Sequence, residues 1–289
     1  MDMAISIEDN FLADIAEHPD DDTPRLILAD WLEEREGAGD AARAAFIRIQ
    51  CEIASLPEES ERLPALRAQE RELFQLHGPS WTRELGRFFH GVIDPVSDPT
   101  GRLRSSTILF HRGFGEAARC RAARFGMLRH NTRRRIIRYL EIYRTVGSNV
   151  IPLLRRGDLD HLEHLSLRHV PTNFISILRT DRLKRLRELL IAGNINNHDL
   201  TWLANCAPEQ LPILEHLTLD STMLSLDQVS RAFQGTYLRT RLQSLMVNGR
   251  EVQLDYTPAQ QNLETSPAQP APKKGKLRRA WDAIVRWFG

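Results

Sequence analysis

Leu214-Glu215-His216-Leu217-Thr218-Leu219 carries apolar residues at its first, fourth and sixth positions. The same pattern stands at Ile137-x-x-Leu140-x-Ile142, Leu162-x-x-Leu165-x-Leu167, Leu186-x-x-Leu189-x-Ile191 and Leu242-x-x-Leu245-x-Val247. Successive starts lie 25, 24, 28 and 28 residues apart, too regular for chance alternation. An apolar-x-apolar ending makes a short strand with one apolar face, and the residues between strands leave room for a returning helix. One such unit cannot bury its apolar face alone. Stacking the units creates a continuous core and sets the strands parallel on one side.

The period and spacing resemble leucine-rich repeats, which implies an α/β solenoid with a parallel concave sheet over residues 101–256. Asn194 holds the ladder position in one repeat only, where the others carry Thr145, Val170, Thr222 and Arg250, so the curvature should be uneven. Asn248-Gly249 lies between Leu245-Met246-Val247 and the alternating Arg250-Glu251-Val252-Gln253-Leu254. That dipeptide favours a type I′ hairpin turn, which caps the last repeat. A strand over about 114–120 should cover the first.

In a stack of this kind the alternate strand positions form three columns facing solvent on the sheet. One holds Tyr139, His164, Glu188, His216 and Ser244; the second Glu141, Ser166, Leu190, Thr218 and Met246; the third Tyr143, Arg168, Ala192, Asp220 and Asn248. Aromatic and arginine anchors on a rigid surface suit recognition of a protein partner. They do not suit a metal. His161 and His164 point to opposite faces of one strand. His164 and His216 sit two strands apart, roughly 10 Å, too far for joint ligation at about 2.1 Å each.

The first hundred residues read as helices over 8–17, 24–36, about 41–56 and about 64–77, the last ending at His77-Gly78-Pro79. Asp22 or Thr23 should cap the second helix, with Pro24 at its first position. The run Asp20-Asp21-Asp22 favours the positive end of that helix. No glycine-containing loop with a closing Glu follows, so the run does not read as a calcium site. Phe11-Leu12-Ala13-Asp14-Ile15, then Asp22-Thr23-Pro24-Arg25-Leu26-Ile27-Leu28-Ala29-Asp30-Trp31-Leu32-Glu33-Glu34, then Phe46-Ile47-Arg48-Ile49-Gln50 form an ordered series of motifs. With Trp81 and Phe110-His111-Arg112-Gly113-Phe114 further on, this series resembles the bacterial repeat-companion domain of planctomycetes and myxobacteria over residues 8–120. The sequence departs from that pattern at Gly39-Asp40-Ala41-Ala42-Arg43-Ala44-Ala45, where a carboxylate usually precedes Phe46. The resemblance implies a helical module accompanying repeats and carries no activity with it.

The net charge of +1 conceals a strong asymmetry. Residues 1–60 hold 16 Asp/Glu against four Arg and no Lys, a net of −12, whereas 61–254 hold 29 Lys/Arg against 19 acids, a net of +10. Residues 112–144 contain ten arginines and two acids. Arg129, Arg133, Arg134, Arg135 and Arg138 are thus an alternative patch for an anionic ligand, nucleic acid above all. Neutralisation by the acidic head is the competing account. After a linker at 257–272, rich in Pro, Gln and Ala and expected to be disordered, residues 273–289 read as a basic amphipathic helix. Leu277, Trp281, Ile284 and Phe288 share one face, suited to an anionic membrane surface, a partner groove or the protein's own surface.

No phosphate loop, His-Glu-x-x-His, Cys-x-x-Cys or Gly-x-Ser-x-Gly motif occurs. Three widely spaced cysteines argue for a reducing compartment and against a disulfide or zinc framework. The N-terminus is acidic and lacks a secretory pattern, and no long uncharged stretch spans a membrane. The expectation is a cytoplasmic, non-enzymatic scaffold without cofactors, peripheral at a membrane if the tail engages one. Its parts are a helical module at 1–100, repeats at 101–256, the linker and the tail helix.

Overall fold

The computed structural model describes residues 6–86, 88–93, 106–121, 124, 135–143, 160–170, 178 and 182–253. These form an α/β structure of seven helices and one open, mostly parallel nine-stranded sheet. The linker, the tail residues Leu277, Trp281, Ile284 and Phe288, and Arg129, Arg133 and Arg134 lie outside the described residues.

Four helices come first. α1 (Ile7–Glu17) opens with a reciprocal capping box between Ser6 and Asp9. α2 (Thr23–Glu34) is not capped as the sequence suggests. Asp22 has already entered the helical backbone region and makes no side-chain cap; Asp21 Oδ1 accepts the Thr23 N–H at 2.8 Å instead. α3 (Asp40–Ser55) carries Phe46 and Ile47 on its buried side. α4 (Leu63–Leu85) runs past its expected end at 77, with Pro79 inside it. Proline forfeits one helical hydrogen bond, but Trp81, Thr82 and Leu85 beyond it are buried, and Thr82 Oγ1 donates to the Gly78 carbonyl at 2.7 Å. Tertiary burial overrides the local stop signal.

The strands follow in spatial order β1 to β9: β1 (His90–Val92), β2 (Ser106–His111), β3 (Phe114–Arg121), β4 (Tyr139–Tyr143), β5 (His164–Val170), β6 (Glu188–Gly193), β7 (His216–Asp220), β8 (Ser244–Val247) and β9 (Arg250–Glu251). β3 through β8 run parallel, while the β2–β3 and β8–β9 pairs are antiparallel. Asn248 and Gly249 both take positive φ, as a type I′ turn requires. The Asn248 side chain locks this hairpin, accepting from Ser221 N–H at 2.8 Å and donating to the Leu224 carbonyl at 3.2 Å.

Leu140, Ile142, Leu165, Leu167, Leu189, Ile191, Leu217, Leu219, Leu245 and Val247 all point to one side of the sheet and are buried. α5 (Asn197–Ala204), α6 (Leu226–Phe233) and α7 (Tyr237–Arg241) cover that side through Leu200, Leu203, Val229, Phe233 and Leu238. The α1–α3 cluster of Leu12, Ile15, Leu28, Leu32 and Ile47 includes Phe114 and Ile136 from the strand region. Phe46 joins the sheet cluster, with its ring 4.7 Å from that of Trp81. The helical part therefore shares its core with the sheet. No helix among the described residues is long and apolar enough to cross a membrane.

Candidate functional site

Parallel pairing aligns the side chains opposite the core into files running across the strands. The first is Ala117, Tyr139, His164, Glu188, His216 and Ser244; the second is Arg119, Glu141, Ser166, Leu190, Thr218 and Met246; the third is Arg121, Tyr143, Arg168, Ala192 and Asp220. These are the columns expected from sequence, extended by one strand to Ala117, Arg119 and Arg121, except that Asn248 leaves the third. It sits in the β8–β9 turn at positive φ, where its side chain is taken up by Ser221 and Leu224.

Their exposure differs from the expectation. Tyr139, Glu141, His164 and Ser166 are buried rather than solvent-facing, because neighbours in the files close over one another. The Tyr139 and His164 rings stack at 4.1 Å and 4°. His164 Nδ1 lies 3.0 Å from Glu188 Oε2. Glu141, fully buried, lies between Arg119 at 3.4 Å and Arg168 at 3.2 Å. Burial pushes the Glu141 carboxyl above its usual range, against the pull of those two guanidinium groups. Tyr143 receives Arg119 and Arg121 over its ring at 5.2 and 5.9 Å. From β6 onward the surface opens. Glu188, Leu190, His216, Thr218, Ser244 and Met246 are half-buried and Asp220 is exposed, while His216 Nδ1 and Ser244 Oγ lie 2.8 Å apart.

The residue before each strand forms a further file, which the sequence reading overlooked. Glu116 precedes it within β3, followed by Arg138, Glu163, Arg187, Glu215 and Gln243. Each backbone N–H in this file donates to the preceding member's carbonyl at 2.8–2.9 Å. The charges alternate. Arg138 makes two 2.9 Å hydrogen bonds to Glu163, and Arg187 Nη1 lies 2.7 Å from Glu215 Oε1. The signal was legible as the second position of each six-residue pattern.

Arg138 is thus not part of an open anion patch. It is buried and also contacts Asp20 Oδ1 at 2.9 Å and Glu116 at 3.9 Å. Attraction from Glu163 first, then Glu116 and the exposed Asp20, outweighs display to solvent. Arg112 Nε stands 3.4 Å from Asp22 Oδ1, and Arg185 Nη2 stands 2.5 Å from Glu17 Oε2. Of the five arginines proposed for an anion, Arg135 alone is both described and exposed.

The motifs carrying the family resemblance converge on the same joint. Arg25 reaches Glu116; Arg48 pairs with Asp30 at 2.6 Å and with Glu33; Gln50 Oε1 accepts the Gly113 N–H at 2.6 Å. These contacts are structural, tying α2 and α3 together and to the β2–β3 turn. No group of three metal-ligating side chains is found among the described residues. Comparison with family models, with curated protein sequences and with solved structures finds no match to this chain.

Proposed function

We propose that the chain is a non-enzymatic scaffold, a repeat-companion helical module fused to a leucine-rich-repeat array. A protein partner binds its concave sheet. The observation supporting this reading is the aligned surface of Glu188, Leu190, His216, Thr218, Asp220, Ser244 and Met246, half-open and held by in-register strands. Such a surface is preorganised, so little conformational entropy is lost when a partner covers it. The more enclosed half, with Tyr139, Glu141, His164 and Ser166 buried and Tyr143 and Arg168 half-buried, acts as its rigid support. Ring stacking fixes Tyr139 and His164, and ion pairing fixes Glu141 and Arg168.

Affinity capture with the full chain tests this, alongside Leu190→Arg and Met246→Arg proteins whose circular dichroism matches the parent. A partner retained by the parent, lost by both variants and kept by Arg231→Glu on α6 supports the proposal. Retention on heparin or RNA that falls with salt and with Arg135→Ala, while both sheet variants behave as the parent, overturns it for nucleic-acid binding.

A further inference from the structure

The outer face of α1 and α2 is both apolar and acidic. Ile7 and Ile27 are 59% and 49% exposed, and Leu26 is exposed beside them. One helical turn along, Phe11 and Trp31 are half-buried with their rings 5.8 Å apart, so the two exposed isoleucines flank an aromatic pair. Asp14, Asp30, Glu33 and Glu34 stand exposed on the same two helices. Asp14 engages His18, while Asp30 and Glu33 engage Arg48. Arg35 lies over Trp31 at 4.9 Å but is tied to Asp40 by two hydrogen bonds. Residues 6–36 hold eleven acids against Arg25 and Arg35, a net of −9. The net stays at −5 after Arg48, Arg112, Arg138 and Arg185 pair with Asp30 and Glu33, Asp22, Asp20 and Glu17.

We propose that this face is the docking site of the chain's own residues 273–289, which clasp the helical module in the resting protein. Charge argues for that occupant: residues 273–289 hold six Lys/Arg against Asp282, a net of +5. Pattern argues for it as well. Leu277, Trp281, Ile284 and Phe288 follow helical spacing. A helix laid along the α1–α2 pair sets those four against Ile7, Phe11, Ile27 and Trp31, while its basic flanks meet the acidic rim.

Reach permits it. The Glu17–Arg185 ion pair places the end of α1 beside the entry to β6. β9 is three strands from β6, roughly 14 Å at strand spacing. Residues 254–272, nineteen in number, span roughly 60 Å when extended and about 24 Å as a flexible coil. Tethering at that length gives an effective concentration on the order of millimolar, so even weak docking is well populated. The clasp is electrostatic at its rim, and a competing anionic surface would release it. This inference stands apart from the reading of the sheet, which uses none of these residues.

Disulfide trapping in the full chain is the test. Cys51, Cys120 and Cys206 are all buried, so engineered thiols react alone. Glu34→Cys combined with Ala280→Cys should link within one chain about tenfold faster than Arg231→Cys combined with Ala280→Cys, whose partner site is on α6. Adding Ile27→Asp and Trp281→Asp should abolish that advantage. Equal rates at the two sites, linkage only between chains, or a rate insensitive to the aspartates would overturn the proposal. Vesicles of phosphatidylcholine and phosphatidylserine supply a second readout. At vesicle concentrations that bind less than half of the parent, Ile27→Asp should strengthen binding of the full chain by freeing the segment, and measurable but equal affinities of parent and variant would refute the clasp.

Discussion

Arg25 and Glu116, ninety-one residues apart and both fully buried, meet with Nη2 2.6 Å from Oε1. The guanidinium also donates to the Asp21 carbonyl at 2.9 Å, and His111 Nδ1 lies 3.3 Å from the second Glu116 oxygen. The joint between helices and sheet is therefore built around an internal charge pair. Removing one partner of such a pair costs more than removing both, because it strands a charge without water. Arg25→Met should lower the unfolding free energy by about 3–5 kcal/mol in urea denaturation, and adding Glu116→Leu should recover a large part. A single substitution costing under about 1 kcal/mol would show that this pair does not hold the joint.

Acid should loosen the same joint. Burial alone would raise the Glu116 carboxyl, but its hydrogen bond to His111, the His111 charge, Arg25 and Arg138 outweigh burial and hold it at about 2 against an ordinary 4.5. A carboxylate depressed in the folded state stabilises fully above its unfolded value and loses that contribution as pH falls toward the folded one. Stability measured by thermal unfolding should thus drop between pH 4.5 and about 2, and Glu116→Gln should flatten the drop. Glu141, raised by burial, works in the opposite direction. Its protonation favours the folded state as pH falls toward 4.5, a gain that Glu141→Gln should remove.

Two glycines with positive φ should respond unequally to alanine. At Gly113, φ is +89° and an added Cβ would sit 2.4 Å from Ile47 Cγ1 and 3.0 Å from its Cα. Backbone cannot yield as a side-chain tip can, so Gly113→Ala should cost about 1–3 kcal/mol from overpacking beyond the backbone strain. Gly249 has φ +74° with nothing within 4 Å, leaving only the left-handed penalty of about 1–2 kcal/mol. Comparing chemical denaturation midpoints of the two variants decides it; equal losses would mean that the Ile47 contact relaxes freely.

The thiols should be silent in the native state. Burial pushes Cys51 up to about 12 and Cys206 up to about 11, and Cys120 is wholly enclosed. Only a thiolate attacks a disulfide reagent, so Ellman's reagent at mildly alkaline pH should find no reactive group in the folded chain. All three cysteines should react after unfolding in guanidinium. Prompt labelling of one thiol without denaturant would show local opening around it.

What the chain determines by itself is which way each strand residue faces. Leu165 and Leu167 lie on one side and His164 and Ser166 on the other because a strand repeats every two residues, whatever surrounds it. Asn248-Gly249 likewise carries its turn locally, since few other dipeptides accept two positive φ values. The charge file through Arg138, Glu163, Arg187 and Glu215 was equally written in the repeats, once read down rather than along. Tertiary structure alone decided the rest. Glu141 is buried because Arg119 and Arg168 arrive from neighbouring strands, and Arg138 is drawn inward by Glu116 and by Asp20, 118 residues away, as well as by its file neighbour Glu163. Pro79 stays inside α4 because Trp81 and Leu85 are buried in the shared core. Backbone periodicity depends on adjacent residues, whereas burial and charge pairing depend on partners that only the closed fold brings within a few ångströms.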